Sequence, residues 1–202
     1  MKYLLIILTL TFSCAGQDIF LKNERTGLPL YLCDLKKNYP ILVEIAADIP
    51  LEDIQVIQEA ISIWNTALET EVFLYIGMSN WTTVEMPEPT NHISIGVVFL
   101  AGELGDNTLA HFERITDYRR GCLAAGKIIY VPDMIGSNPL RRLRTIAHEL
   151  GHSLCLAHSN KLNNLMYESI PLEMGCTSKA KHSIPVPTKE QVQALKNMYN
   201  LE

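Results

Sequence analysis

Beyond its first twelve residues the sequence has no apolar run approaching the roughly 20 residues a helix needs to cross a bilayer. The mature chain is therefore expected to lack a transmembrane helix. Basic clusters are also scarce. Arg119-Arg120 and Arg141-Arg142 are isolated pairs, read as solvated surface, and the net charge is −5, so no basic stripe points to a nucleic-acid partner. Internal repeats and low-complexity tracts are absent, which argues against a solenoid. Charged residues make up 19% and hydrophobic residues 48%, a balance that excludes a disordered chain. What is present is a chain of 202 residues, long enough to bury one sizeable core in a single domain.

The first fifteen residues read as a signal peptide. Lys2 gives a positive start, Tyr3 to Phe12 form a short apolar run, and small residues follow at Ser13, Cys14, Ala15 and Gly16. Two processing readings stand side by side. Cleavage after Ala15 satisfies a small-x-small site. Alternatively, Thr11-Phe12-Ser13-Cys14 resembles a bacterial lipoprotein signal, with Cys14 as the lipidated residue and Thr11 as a departure from that pattern. The expected location is exported: secreted, periplasmic, or anchored at the surface by lipid. The other four cysteines, Cys33, Cys122, Cys155 and Cys176, are an even count in an exported chain and suggest two disulfides. Three pairings stay open.

Residues 16–38 are mixed and polar and read as a linker or short pro-like segment, with Thr26-Gly27-Leu28-Pro29 as a turn. The domain is expected over 39–202. Ile41 to Ala46 is an apolar run that predicts a strand. After Pro50, apolar residues recur at Ile54, Ile57, Ile61, Trp64 and Leu68, the spacing of one helix face. Glu52 and Asp53 lie in its first turn, where carboxylates suit the helix dipole. Further strands are predicted at Glu71 to Ile76, His92 to Leu100, Thr108 to Ile115 and Lys127 to Val131. Asn138-Pro139 opens a second helix with a cap and a first-position proline. Leu140, Leu143, Ala147, Leu150 and Leu154 mark its apolar face. A last helix is predicted from Lys189 to Tyr199, with Thr188 as cap and Val192, Leu195 and Tyr199 facing the core. The fold class is α+β, five short strands in a mixed sheet with these helices.

The second helix carries His148-Glu149-Leu150-Gly151-His152, and His158 follows six residues later. Histidines four apart lie one turn above each other on one helix face, so both can reach one ion. Neutral imidazole is a zinc ligand, and a catalytic zinc takes three protein ligands and keeps a fourth position for water. His158 is the natural third ligand once the chain turns back. Glu149 is then free to act on the water as general base, while zinc polarises the carbonyl under attack.

This stretch resembles the zinc site of the metzincin metalloproteases, His-Glu-x-x-His-x-x-Gly-x-x-His. Ser159 after the third histidine and Leu165-Met166-Tyr167 resemble the matrixin branch and its Met-turn. The resemblance spans most of residues 40–202. It implies a twisted five-stranded mixed sheet with a long first helix, an active-site helix and a C-terminal helix. Met166 is implied to form an apolar floor under the metal. Asn107 to Phe112 would be an edge strand that pairs with extended substrate, and the segment up to about Pro187 would wall the main pocket. The sequence departs from the pattern at Cys155, where the family has a glycine that lets the chain turn. That position is expected either to be held by a disulfide, with Cys176 as a partner, or to leave a redox-sensitive thiol near the metal. The matrixin propeptide and its Pro-Arg-Cys-Gly switch are missing. Cys33 or Asp34 in the zinc site is a latent-form alternative to a structural disulfide at Cys33.

His92, His111 and His182 are read as ordinary strand or loop histidines. Asp106 and Asp117 show no recognisable calcium loop, so one catalytic zinc is expected, without calcium or a second zinc. The implied activity is a monomeric zinc endopeptidase acting on proteins or peptides, by zinc-activated water and Glu149. The rival expectations are a non-catalytic zinc-binding surface protein on the same scaffold and a zinc hydrolase of a non-peptide amide.

Overall fold

The computed structural model describes residues 19–24, 26–33, 40–80, 96–102, 109–117, 120, 122–131, 138–161, 164–168 and 186–201. The signal segment with Cys14, and Asp34, His92, Asp106, Cys176 and His182, lie outside them.

A five-stranded sheet carries the domain, in the order β2-β1-β3-β5-β4. Its strands are β1 (Ile41–Ile45), β2 (Phe73–Met78), β3 (Gly96–Ala101), β4 (Ala110–Asp117) and β5 (Cys122–Tyr130). The first three and β5 run parallel, whereas β4 runs antiparallel to β5 and forms one edge. Parallel neighbours need a crossover, and between β1 and β2 that crossover is helix α1 (Leu51–Leu68).

The apolar face read from α1 is the buried one: Ile54, Ile57, Ile61, Trp64 and Leu68 all face the core. Asp53 lies in the first turn as expected and has a further role. It is only 1% exposed, takes a hydrogen bond from the Tyr130 hydroxyl at 2.9 Å and pairs with Arg142. A buried carboxylate needs such partners, and here they tie α1 to β5 and to the second helix. Burial and the adjacent carboxylate push the Tyr130 hydroxyl pKa upward.

Strand β5 begins at Cys122, earlier than the predicted Lys127. Gly126 in its middle is a packing site. A Cβ there would lie 2.0 Å from Cε2 of Phe112, so only glycine lets β4 pair with β5 over its full length.

Helix α2 (Pro139–Ser153) starts as predicted. Asn138 accepts from the N–H groups of Leu140 and Arg141, and Pro139 occupies the first turn. Helix α3 (Lys189–Tyr199) closes the domain behind a Thr188/Gln191 capping box. Leu195 and Tyr199 are buried, and Val192 packs on the core from a half-buried position.

Residues 19–33 do not hang free as a linker. Leu30, Leu32 and Cys33 are buried, and Cys33 is joined to Cys122 by a disulfide. That bond removes Cys33 from the set of groups able to occupy a metal site. Of the expected second disulfide, Cys155 is a free thiol. Its side chain is fully buried in the core and interacts with Tyr199 of α3, so the pairing proposed with Cys176 is absent.

Candidate metal centre

Helix α2 buries one face against α1 and presents His148, Glu149 and His152 on another. The Trp64 indole donates to the Ala147 carbonyl at 2.8 Å, fixing the helix where its histidines begin. Both histidines are 9% exposed and Glu149 is 6% exposed. Nδ1 of His148 lies 2.8 Å from the Leu165 carbonyl oxygen, and Nδ1 of His152 lies 2.8 Å from that of Leu156. A carbonyl only accepts, so each Nδ1 carries the proton and each Nε2 keeps its lone pair.

Those lone pairs converge with His158. Nε2 of His152 and Nε2 of His158 are 3.0 Å apart, and the three candidate ligand atoms lie within 4.8 Å of one another. Nitrogens on one tetrahedral zinc, each about 2.0–2.1 Å from it, stand about 3.4 Å apart. The donor set therefore fits such an ion. Burial lowers the pKa of His148 to about 4, against the opposing bond to Leu165, and that of His152 to about 3. Both stay neutral at physiological pH, the form a metal requires.

Glu149 is held differently. Burial raises its carboxyl to about 8, and the Phe112 backbone N–H, which donates to it, works in the opposite sense. The residue expected as general base thus touches edge strand β4. His111 on that strand is exposed and lies near enough to influence His152, but it does not join the ligand group. Among the described residues, His148, His152 and His158 are the one cluster able to hold an ion.

Met166 is fully buried beneath the helix. A Cβ on Gly151 would come within 2.4 Å of the Met166 sulfur and 2.9 Å of Trp64 Cζ2, so this glycine permits the close approach. The turn bearing Met166 is shaped by Asn164, whose side-chain oxygen accepts from Met166 N at 2.8 Å and from Gln191 Nε2 at 2.9 Å. Arg144 donates to the Asn164 carbonyl. Neither Asn164 nor Gln191 stood out in the sequence as a site residue. The capping-box spacing of Thr188 and Gln191 was the one available signal for the latter.

The turn that brings His158 back ends α2 in a Schellman arrangement. Cys155 N–H reaches the His152 carbonyl at 2.8 Å and Leu156 N–H reaches that of Gly151 at 3.1 Å. Cys155 has φ 66°, the left-handed conformation the family glycine would take. The turn therefore keeps the expected shape without the expected residue and without a disulfide. Burial pushes the Cys155 thiol up to about 12, which favours the protonated thiol over the thiolate at neutral pH.

No protein-family model and no curated protein sequence matches the chain. Among solved structures it is similar to archaemetzincin from Methanopyrus kandleri, with TM-score 0.52 and 13% identity, over 80% of this chain and 96% of that one. At that identity the likeness is one of fold.

Proposed function

We propose that this chain is a zinc-dependent endopeptidase of metzincin type, closest in its motifs to the matrixin branch, acting on proteins or peptides outside the cytoplasm. The observation that carries the reading is the locked pair of imidazoles. Two carbonyls hold His148 and His152 with their Nε2 atoms turned toward His158, and a buried carboxyl stands one residue from the first.

His148, His152 and His158 would hold the ion, and zinc there supplies Lewis acidity toward a peptide carbonyl and a more acidic water. The charge of a zinc ion there would favour the ionised form of Glu149 against the burial that raises its carboxyl to about 8, and Glu149 would then take the proton of the attacking water and return it to the leaving amine. The Phe112 N–H steadies that carboxylate from strand β4. Beyond β4 the sheet is unpaired among the described residues, and an extended substrate would add there as a further strand. A purely structural zinc site closes its fourth position with protein and needs no buried carboxyl beside it, which weighs against the non-catalytic rival. Export, by free secretion or through a lipid on Cys14, and a monomeric state complete the reading.

The test uses the full mature chain, loaded with zinc or stripped by chelator, on a mixed peptide library beside Glu149→Ala. Zinc-dependent cleavage that Glu149→Ala abolishes is expected. Cleavage by neither form, or equal cleavage by Glu149→Ala, refutes it.

A further inference from the structure

The segment carrying His158 is gripped from both sides. On one side Ser159 N–H donates to the Met166 carbonyl at 2.6 Å, and Ser159 bridges Tyr167 in parallel. On the other side stands the N-terminal segment. Leu21 N–H donates to the Cys155 carbonyl and Ala157 N–H donates to the Ile19 carbonyl, both at 2.8 Å, with Phe20 bridging Leu156 antiparallel. Three of the four residues between the end of α2 and His158, namely Cys155, Leu156 and Ala157, are thus paired to a stretch of chain more than 130 positions earlier.

That stretch is itself fastened. It folds into a hairpin with Lys22 opposite Pro29, closed by Asn23 N–H to the Leu28 carbonyl and Leu30 N–H to the Leu21 carbonyl. Leu30 and Leu32 are 2% and 5% exposed. Cys33 N–H then donates to the Leu123 carbonyl, Leu123 N–H donates to that of Tyr31, and the Cys33–Cys122 disulfide locks the end to β5. A covalent tie on the sheet therefore connects through a hairpin to the backbone on which the third histidine rides.

We infer that residues 19–33 are a positioning strap for His158, a working part of the metal centre and not a removable pro-segment. The inference rests on the reading of His158 as a metal ligand. His148 and His152 are set by helix α2, whereas His158 sits exposed on a two-residue exit from a turn. Without the strap, the Cys155 carbonyl and the Ala157 N–H lose their partners, and the ligand must be ordered when the ion binds. Partners one step removed from a metal typically change its affinity roughly 10–100-fold when lost.

The experiment compares the full mature chain, a truncation beginning at Lys37, Leu21→Pro, which deletes one of the two donors, and Leu21→Ala, which keeps it. Zinc affinity is read by competition with a chromophoric chelator, folding of the metal-free forms by circular dichroism, and amide exchange by NMR. The strap predicts slow exchange at Leu21 and Ala157 in the metal-free full chain. It predicts zinc affinity about 10–100-fold weaker in Leu21→Pro and in the truncation, recovered in Leu21→Ala. Peptide cleavage by Leu21→Pro should return toward that of the unvaried chain at saturating zinc.

Unprotected Leu21 and Ala157 amides overturn the strap, even where Leu21→Pro fails to fold. So does a truncation that binds zinc as tightly as the full chain or cleaves faster, which is the behaviour of a pro-segment. If affinity falls as expected but the unvaried chain cleaves no peptide, the strap stands and the endopeptidase reading falls.

Discussion

Replacing Cys155 by glycine and, separately, by alanine isolates backbone strain at the end of α2 from the packing of the thiol. Cys155 has φ 66° and is fully buried. A residue with a Cβ in the left-handed region costs about 1–2 kcal/mol. Glycine removes that cost but loses about 0.5–1 kcal/mol more backbone freedom on folding. Both variants lose the same sulfur, so their difference cancels its burial. The balance predicts that Cys155→Gly is between equally stable and about 1.5 kcal/mol more stable than Cys155→Ala. In ordinary helical backbone the order reverses, with glycine about 1 kcal/mol worse. The assay is urea unfolding of the metal-free protein, comparing midpoints at equal slope. A glycine variant less stable than alanine by about 1 kcal/mol would mean that the turn is not left-handed and that the account of how His158 returns to the site is wrong.

Gly151→Ala drives a methyl into Met166 and Trp64, and should cost about 1–3 kcal/mol in thermal unfolding while weakening zinc binding. An unchanged melt refutes that packing. Trp64→Phe deletes the bond to the Ala147 carbonyl, which keeps its intrahelical partner, and should cost about 0.5–1.5 kcal/mol for that bond, read by urea unfolding; a neutral effect counts against it. Asn164→Ala removes the acceptor shared by Met166 N–H and Gln191. Zinc affinity should fall roughly tenfold and recover in Asn164→Asp, and an unaffected affinity rules the turn out as a determinant. The metal-free protein should be most stable near pH 6. Folding depresses the His148 and His152 pKa values to about 4 and about 3, so their stabilisation is full above 6.5 and lost as pH falls through those values. For His148 alone the loss approaches about 3 kcal/mol. Folding raises Glu149 to about 8, so its contribution declines as pH climbs from 4.5 toward 8. Urea midpoints that stay level from pH 4 to 8 contradict both assignments.

Local signals carried most of the helices and the ligands. The three helices were visible because each has a periodic apolar face, and two of them begin at a side-chain cap, Asn138 and Thr188. The two histidines on α2 needed only helical spacing to converge. What stayed hidden depends on contacts between residues distant in sequence. Asp53 was legible as a first-turn carboxylate, but its ties to Tyr130 and Arg142 were not. Gly126 carried no local signal, and its role appears only where the Phe112 ring comes against it. Polar composition made residues 19–33 read as a linker, because a strap held by its backbone needs few apolar side chains of its own.

The same reasoning bears on the third histidine. A helix can order two ligands by its own hydrogen bonds, but a ligand beyond its end must borrow order from elsewhere in the chain. Here it is supplied by the left-handed Cys155, by the Met166 turn at Ser159 and by the N-terminal hairpin at Cys155 and Ala157. Only the turn left a mark at the motif itself, as the missing glycine. The Met166 turn was legible in Leu165-Met166-Tyr167, whereas the hairpin's grip is a backbone pairing, indifferent to side-chain identity, and leaves no motif to read. A metal site can thus be recognised from its ligands while much of what sets its affinity is written elsewhere in the chain.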